Sequence, residues 1–213
     1  MKGRTPIIVV FLLLTLTSVS AFAAGPYVGG EVGAVFLSDS TFTSPGNPDI
    51  DLKSKTGFGL GLIGGFDFGT YRLEGEFAYR RNNNDEATDD VGTFPVGGDY
   101  STMALLVNGF YDFRMVSSTF VPYLGIGLGG ARVSAKGTEP TSGAFVDDSD
   151  MVFAYQLAAG IGYAVSKGIT IDLGYKYFAT AKPEFDFTAD FGGGKAEAEY
   201  ASHNIFLGLR YGF

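Results

Sequence analysis

The last nine residues alternate between two kinds of side chain. Counting back from the C-terminus in twos gives large apolar residues, namely Ile205, Leu207, Leu209, Tyr211 and Phe213. Most residues between them, such as Gly208, Arg210 and Gly212, are small or polar. Because successive side chains of a strand point to opposite faces, this segment predicts a β-strand with one apolar face. The aromatic residue at its end is typical of a membrane-interface anchor, since the last residues of soluble domains usually fray.

The first 23 residues are expected to be a cleaved signal peptide. Lys2 and Arg4 give a positive start, and the apolar run 7–16 has the length of a signal-peptide core. Ala21 and Ala23 form an A-x-A cleavage site, which predicts Sec export and a mature domain covering 24–213. The alternative is a membrane anchor, but the apolar run falls short of the ~20 residues that a spanning helix needs.

The remaining chain contains eight alternating segments that are rich in glycine and aromatic residues. They are Tyr27–Leu37, Thr56–Phe68, Tyr71–Arg81, Tyr100–Phe113, Val121–Val133, Met151–Val165, Ile169–Ala181 and Tyr200–Phe213. Three connections are short (69–70, 114–120 and 166–168), and they alternate with four long acidic ones (38–55, 82–99, 134–150 and 182–199). This pattern predicts an all-β fold, an eight-stranded antiparallel transmembrane β-barrel with short periplasmic turns and four long extracellular loops.

The second face of these segments consists largely of glycine and alanine with isolated charges, which suits the narrow lumen of an eight-stranded barrel. Strand parity places eight charged side chains inside: Glu31, Glu74, Glu76, Arg80, Asp112, Asp172, Lys176 and Arg210. A charge in a narrow lumen needs a partner, because its desolvation costs several kcal/mol. We therefore expect Arg210 between Asp172 and Glu31, and Lys176 against Glu76. The alternative is that water at the barrel rim solvates these groups separately.

Aromatic residues collect near the strand ends, where two membrane-interface girdles are expected. The predicted periplasmic girdle is Tyr27, Phe66, Phe68, Tyr71, Tyr111, Phe113, Phe120, Tyr163, Tyr211 and Phe213. The predicted outer girdle is Phe36, Tyr79, Phe153, Tyr155, Tyr175 and Tyr177. The alternative is that β-proteins are rich in aromatic residues in general.

The chain resembles the outer-membrane β-barrel domains of the opacity-protein and OmpA/OmpX type. The resemblance is carried by Tyr27-Val28-Gly29-Gly30, by the segment 121–129 (VPYLGIGLG) and by the segment 209–213 (LRYGF). It implies that Ile205, Leu207, Leu209, Tyr211 and Phe213 also form the signal read by the barrel-assembly machinery, and that the lumen is closed. Since the sequence stops at Phe213, a peptidoglycan-binding domain and a cell-wall tether are not expected.

Several chemistries are disfavoured. The chain has no cysteine, so disulfides and thiolate metal sites are excluded. The G-x-G-x-x-G matches at Gly59 and Gly125 lie within strands and do not open a helix, so no nucleotide cofactor is expected. The only histidine, His203, adjoins Ser202 on a strand, where the two side chains point to opposite faces and cannot pair for catalysis.

The sequence thus predicts a non-enzymatic surface protein of the Gram-negative outer membrane, with no catalytic, cofactor or specific metal site. Expected partners are membrane lipid and lipopolysaccharide, the barrel-assembly machinery, and host or neighbouring surface proteins that contact the loops. The acidic loops could also hold Ca²⁺ or Mg²⁺ loosely against lipopolysaccharide. Nucleic acid is not expected, because the net charge is −8 and no basic cluster is present. The alternatives are a narrow porin-like channel and an outer-membrane lipid-modifying enzyme.

Overall fold

The computed structural model describes residues 24–38, 40–43, 50–88, 93–95, 97–115, 118–139, 143–186 and 195–213. The predicted signal peptide, with Ala21 and Ala23, lies outside these ranges and stays a prediction. The described strands are β1 (Gly25–Leu37), β2 (Ser40–Thr43), β3 (Ile50–Ser54), β4 (Gly57–Asp67), β5 (Tyr71–Thr88), β6 (Thr93–Pro95), β7 (Gly97–Asp112), β8 (Phe120–Glu139), β9 (Gly143–Ala164), β10 (Ile169–Thr180), β11 (Glu184–Asp186), β12 (Lys195–Ala198) and β13 (Ala201–Gly212). Among these residues, no helix is long and apolar enough to cross a membrane.

Eight strands close into an antiparallel barrel in the order β1, β4, β5, β7, β8, β9, β10, β13. The barrel closes where β13 pairs with β1, from Tyr27 opposite Gly212 to Leu37 opposite Ser202. Closure pairs both edges of the sheet, which is the condition for a sheet to span a bilayer. The predicted eight-stranded barrel is therefore confirmed.

The outer wall of the barrel carries the large apolar side chains. Leu62, Leu105, Ile126, Leu173 and Leu207 are each more than half exposed. So many exposed apolar groups would be unfavourable in water, whereas hydrocarbon solvates them. The inward positions between them are buried or partly buried, so the alternation read from the sequence corresponds to a lipid face and a lumen face.

One short turn shows the local chemistry that reverses the chain. Gly69 lies between β4 and β5 with a φ of 97°, a left-handed conformation that glycine adopts without strain. Its N–H donates to Asp67 Oδ1 at 2.7 Å, which closes the turn with a side-chain hydrogen bond.

Several strands continue beyond the ends that the sequence predicted. We expected strands to stop at Arg81 and Val133, but β5 pairs with β7 as far as Asn83, and β8 pairs with β9 as far as Glu139. β9 has 22 residues, about twice what a tilted strand needs to cross a bilayer. The alternation of apolar residues ends where the strands leave the lipid, but the hydrogen-bonded pairing of their backbones continues beyond that point. Most of two of the predicted long loops is therefore strand.

The extracellular ends also carry a second sheet, in the order β11, β12, β2, β3, β5. β11 approaches β9 through side chains. The backbone N–H of Glu184 donates to Asp150 Oδ2 at 3.1 Å, and that of Asp186 donates to Asp148 Oδ2 at 2.9 Å. These two carboxylates satisfy N–H groups on the free edge of β11, and an edge satisfied in this way is protected from pairing with other chains.

Candidate functional site

The barrel interior contains an ion-pair network that begins near the periplasmic mouth. Arg210 donates to both oxygens of Asp172, at 2.6 and 2.8 Å. At the periplasmic ends of β5 and β7, Arg72 Nε donates to Asp112 Oδ1 and Oδ2 at 3.0 and 3.1 Å. The Arg72 guanidinium also lies 4.4 Å from the ring centre of Phe110, within cation–π range.

The middle of the interior is organised around Lys176. Its Nζ pairs with Glu31 Oε2, and lies 3.0 Å from Glu76 Oε2. Glu76 Oε2 also accepts hydrogen bonds from Asn108 Nδ2 at 2.8 Å and Gln156 Nε2 at 2.7 Å. Multiple donors on a buried carboxylate compensate for its lost hydration, so the ion is stable in this position only while they are present.

The outer part of the interior changes from charged to apolar. Arg80 Nε donates to Asn204 Oδ1 at 3.2 Å, and its guanidinium lies 4.1 Å from the ring centre of Phe178. Beyond it is a cluster of buried residues: Tyr100, Val133, Phe178, Phe185 and Tyr200. Within the cluster, Thr102 Oγ1 donates to the Tyr200 hydroxyl at 2.7 Å. Charged side chains and this apolar cluster therefore fill the lumen in succession.

A cavity of about 30 Å³ lies beside Glu31, Glu76, Arg80 and Lys176. Another of about 70 Å³ lies at the periplasmic mouth, next to Tyr27 and Arg210. The smaller volume is comparable to the space that one water molecule occupies. Both are far smaller than a pocket for an organic ligand, which spans at least ~300 Å³.

All eight charged residues assigned to the lumen by parity lie on inward-facing positions. Six are buried (Glu74, Glu76, Arg80, Asp112, Asp172 and Lys176), while Glu31 and Arg210 are partly buried. We expected Arg210 to lie between Asp172 and Glu31. In the structure Arg210 pairs with Asp172, and Glu31 pairs with Lys176 instead. Glu31 and Asp172 both pair in register with Gly208, which is the inward-facing residue next to Arg210 on β13. Since the two carboxylates are equally deep, the length and direction of the side chains decide which cation each one contacts.

Sequence reasoning missed some members of this network. Arg72 is absent from the predicted set of inward charges, although it is buried against Asp112. Tyr27 was assigned to the periplasmic girdle, yet it points inward and its hydroxyl donates to Glu74 Oε2 at 2.8 Å. Its odd number, which it shares with inward-facing Glu31, was the signal that could have placed it correctly.

His203 contacts two residues of the predicted outer girdle. This residue faces outward, its Nδ1 is 2.6 Å from the Tyr175 hydroxyl, and its ring centre is 5.4 Å from that of Tyr177. Ser202 is fully buried on the opposite face. The two side chains therefore lack the contact that a nucleophile and its base require.

The residues proposed as an assembly signal lie on one face of β13 (Ala201–Gly212), with Phe213 directly after its end. Ile205, Leu207, Leu209, Tyr211 and Phe213 are all exposed on the lipid side. Their recognition by the barrel-assembly machinery stays a prediction. No group of three or more His, Cys, Asp or Glu side chains that could hold a metal ion occurs within the described ranges.

A closed antiparallel barrel with an apolar outer wall and a salt-bridged interior defines a small transmembrane β-barrel of the outer membrane. The chain belongs to the outer membrane protein beta-barrel domain family, whose model matches residues 9–213. It is an outer-membrane surface protein, and the predicted family and location are confirmed.

The similar proteins agree with this assignment. The chain is 26% identical to the outer membrane protein PagN of Salmonella typhimurium, over the whole of both chains. It is 28% identical to RC1281, a candidate adhesin of Rickettsia conorii, over 78% of this chain and 71% of that protein. The opacity protein opA52 of Neisseria gonorrhoeae is 24% identical over 70% of this chain and 76% of its own. The crystal structure of OprG from Pseudomonas aeruginosa shares the fold, with a TM-score of 0.62 at 14% identity over 89% of this chain and 97% of that one.

Proposed function

We propose that this protein is a non-conducting, non-enzymatic adhesin-like surface protein. Its barrel anchors an extracellular β-sheet that contacts host or neighbouring cell surfaces. The observation that supports the proposal is that the molecule has a closed barrel and a separate extracellular part. The lumen is filled by paired charges and an apolar cluster, while β5, β8 and β9 extend well beyond the bilayer.

The β8–β9 hairpin is the element best placed for such contacts. Its two strands pair without a break from Phe120 opposite Tyr163 to Gly137 opposite Val146, and a register shift follows. The surplus of about ten residues over a membrane-spanning strand extends roughly 30 Å. A paired hairpin of this kind is stiffer than a loop, so binding to it loses less conformational entropy.

The relatives and the surface chemistry agree with this proposal. RC1281 is itself a candidate adhesin, which supports the same role for this chain. The extracellular connections are acidic, so cationic partner surfaces are favoured. The proposal includes contact of the outer wall with lipopolysaccharide and recognition of β13 by the barrel-assembly machinery.

The porin-like alternative leads to a direct prediction. Mature chain refolded into a planar bilayer is expected to give no discrete conductance steps. The reason is that side chains fill the lumen from the ion pair of Asp172, near the periplasmic mouth, to the apolar cluster around Tyr200 at the outer end. Folding is checked beforehand by heat-sensitive gel mobility. Reproducible steps from verified folded protein, with ion selectivity altered by Glu76→Gln, would establish the channel and refute the plugged barrel.

Adhesion is tested by shortening the hairpin. Ser134 and Ser149 are directly opposite each other, so an Asn-Gly turn can replace residues 135–148 without disturbing the ladder below. Cells of a non-adherent Gram-negative strain that express the full chain are expected to bind epithelial monolayers. Cells with the shortened hairpin, at equal surface abundance, are expected to fall to the empty-vector level.

The matched control is Lys167→Gln, which changes an exposed cation in the periplasmic turn and leaves the extracellular side intact. It is expected to adhere like the full chain. If the hairpin-shortened cells adhered equally well, the contact would not involve this hairpin. If full-chain cells showed no adherence at all, the adhesive function itself would be refuted.

A further inference from the structure

A cationic, hydroxyl-rich patch lies on the outer wall, directly above the lipid-facing apolar band. Its members face outward on four adjacent strands: Arg81 on β5, Ser101 on β7, Arg132, Ser134 and Lys136 on β8, and Ser149 on β9. We call it the Arg132 patch. The outward row that contains Arg132 otherwise holds Tyr79, Met103 and Met151, which belong to the apolar band.

Arg132 has an unusual position for a charged side chain. Its neighbours in the row, Met103 and Met151, are 53% and 72% exposed, so the guanidinium lies at the boundary between hydrocarbon and polar surroundings. Its Nε and Nη2 donate to Ser149 Oγ at 3.1 and 2.9 Å. Among the described residues, no carboxylate lies within 4 Å of it. Ser149 therefore orients the guanidinium without neutralising it.

The other two cations of the patch have acidic partners. Arg81 Nη2 lies 3.1 Å from Asp99 Oδ1, and Lys136 Nζ lies 3.6 Å from Asp147 Oδ1. The patch therefore keeps one net positive charge, that of Arg132, on a protein whose overall charge is −8. Asp148 and Asp150 do not change this balance, since they face inward and bind the N–H groups of β11.

The rest of the outer girdle is different. On β1, β10 and β13, outward positions toward the extracellular end are occupied by Phe36, Tyr177 and His203, which are in register with one another. Those aromatic side chains suit an uncharged interfacial zone. Arg81, Arg132 and Lys136 all lie on the β5–β7–β8–β9 side of the barrel, where an anionic headgroup would find them.

We propose that the Arg132 patch binds a phosphate group of an outer-leaflet glycolipid. A guanidinium matches phosphate in charge and donor geometry, and the serine hydroxyls supply further donors to its oxygens. Met103 and Met151 flank Arg132 in its row and are exposed on the lipid side, so the acyl chains of the same lipid would pack against them. This inference rests on the proposed contact with lipopolysaccharide, names its site and chemistry, and does not depend on adhesion.

The test measures binding of bis-phosphorylated lipid A to the refolded mature chain in zwitterionic micelles. The comparison ligand is the same lipid after enzymatic removal of its phosphates. The wild-type chain is expected to prefer the phosphorylated lipid. Arg132→Gln is expected to weaken binding of that lipid about tenfold and to leave the dephosphorylated lipid unaffected, because one charge-assisted contact is lost. Lys167→Gln is the matched control and is expected to bind like wild type.

Arg132→Lys keeps the charge without the planar fork, and it should bind with intermediate affinity while folding normally. It keeps the test valid if the glutamine variant folds poorly. If the wild-type chain showed no preference for the phosphorylated lipid, the proposed lipopolysaccharide contact would be refuted. If Arg132→Gln kept the full preference, only this site would be wrong. Competition by millimolar inorganic phosphate would indicate a free-anion site and would also overturn the assignment to lipid.

Discussion

Replacing Lys176 with methionine is expected to lower the free energy of unfolding of the barrel by about 3–5 kcal/mol. The Lys176 ammonium is buried and contacts two carboxylates, Glu31 and Glu76. Methionine fills similar space, so the change removes the charge and leaves little cavity. The two carboxylates then remain in the interior without their shared cation, and removing one partner of a buried ion pair leaves a charge that water cannot solvate.

The measurement is urea unfolding of the chain in lipid vesicles, followed by far-UV circular dichroism and by gel mobility. Lys182→Met is the control, because the Lys182–Glu199 pair, at 3.2 Å, is exposed to solvent. Its effect is expected to stay under about 1 kcal/mol. A Lys176→Met variant within 1 kcal/mol of wild type would show that water or protonation compensates the interior charges, as the separate-solvation alternative holds.

The faces of the strands could be predicted because strand parity is a geometric constant. Once Ile205 and Leu207 were assigned to the lipid face, strand parity assigned every second residue to that face and the remaining residues, including the charged ones, to the lumen. Tyr27 was misplaced because it was assigned by its position near a strand end. Its position near a strand end favoured the aromatic girdle. Strand parity is the stronger constraint and assigns Tyr27 to the lumen, where its hydroxyl contacts Glu74.

Which interior charges pair with each other could be predicted only in part from the sequence. Counting residues from the periplasmic end put Asp172, Glu31 and Arg210 at similar depths, which is correct to within one inward step. The choice between Arg210 and Lys176 as the partner of Glu31 depends on side-chain length and rotamer. Those are fixed by packing against neighbours such as Phe206, whose ring centre is 4.6 Å from Lys176 Nζ.

The extracellular strands could not be read from the sequence for a different reason. Asn82 and Asn84 face inward and are buried, but the outward residue between them, Asn83, is polar too, so no apolar alternation marks the strand. Instead, Asn82 Nδ2 donates to the carbonyls of Val35 and Lys55, both at 2.9 Å. Side-chain amides therefore connect strands here, and an amide leaves no periodic signature in a sequence.

Replacing Gly125 with valine is expected to prevent or severely impair folding of the barrel, with a loss of about 3 kcal/mol or more. Gly125 is on the inward face of β8, opposite Phe110. A Cβ atom added there would lie 2.5 Å from Phe110 Cε1 and closer still to Cδ1. Phe110 cannot yield easily, because its ring is packed edge-on against Tyr123 and carries the Arg72 guanidinium. The glycine is thus required by the residues that fill the lumen.

Gly109→Val is the matched control for this prediction. Gly109 is on the lipid face of the adjacent strand β7, where an added Cβ atom would meet nothing within 4 Å. Valine there is expected to leave stability unchanged or to raise it by up to about 1 kcal/mol, because glycine loses more backbone entropy on folding than valine does. Both variants are refolded into the same vesicles and scored by the fraction of heat-modifiable protein. Equal folding of Gly125→Val and Gly109→Val would mean that the interior is loose enough to admit extra side chains, and the closed lumen on which the non-conducting function depends would have to be abandoned.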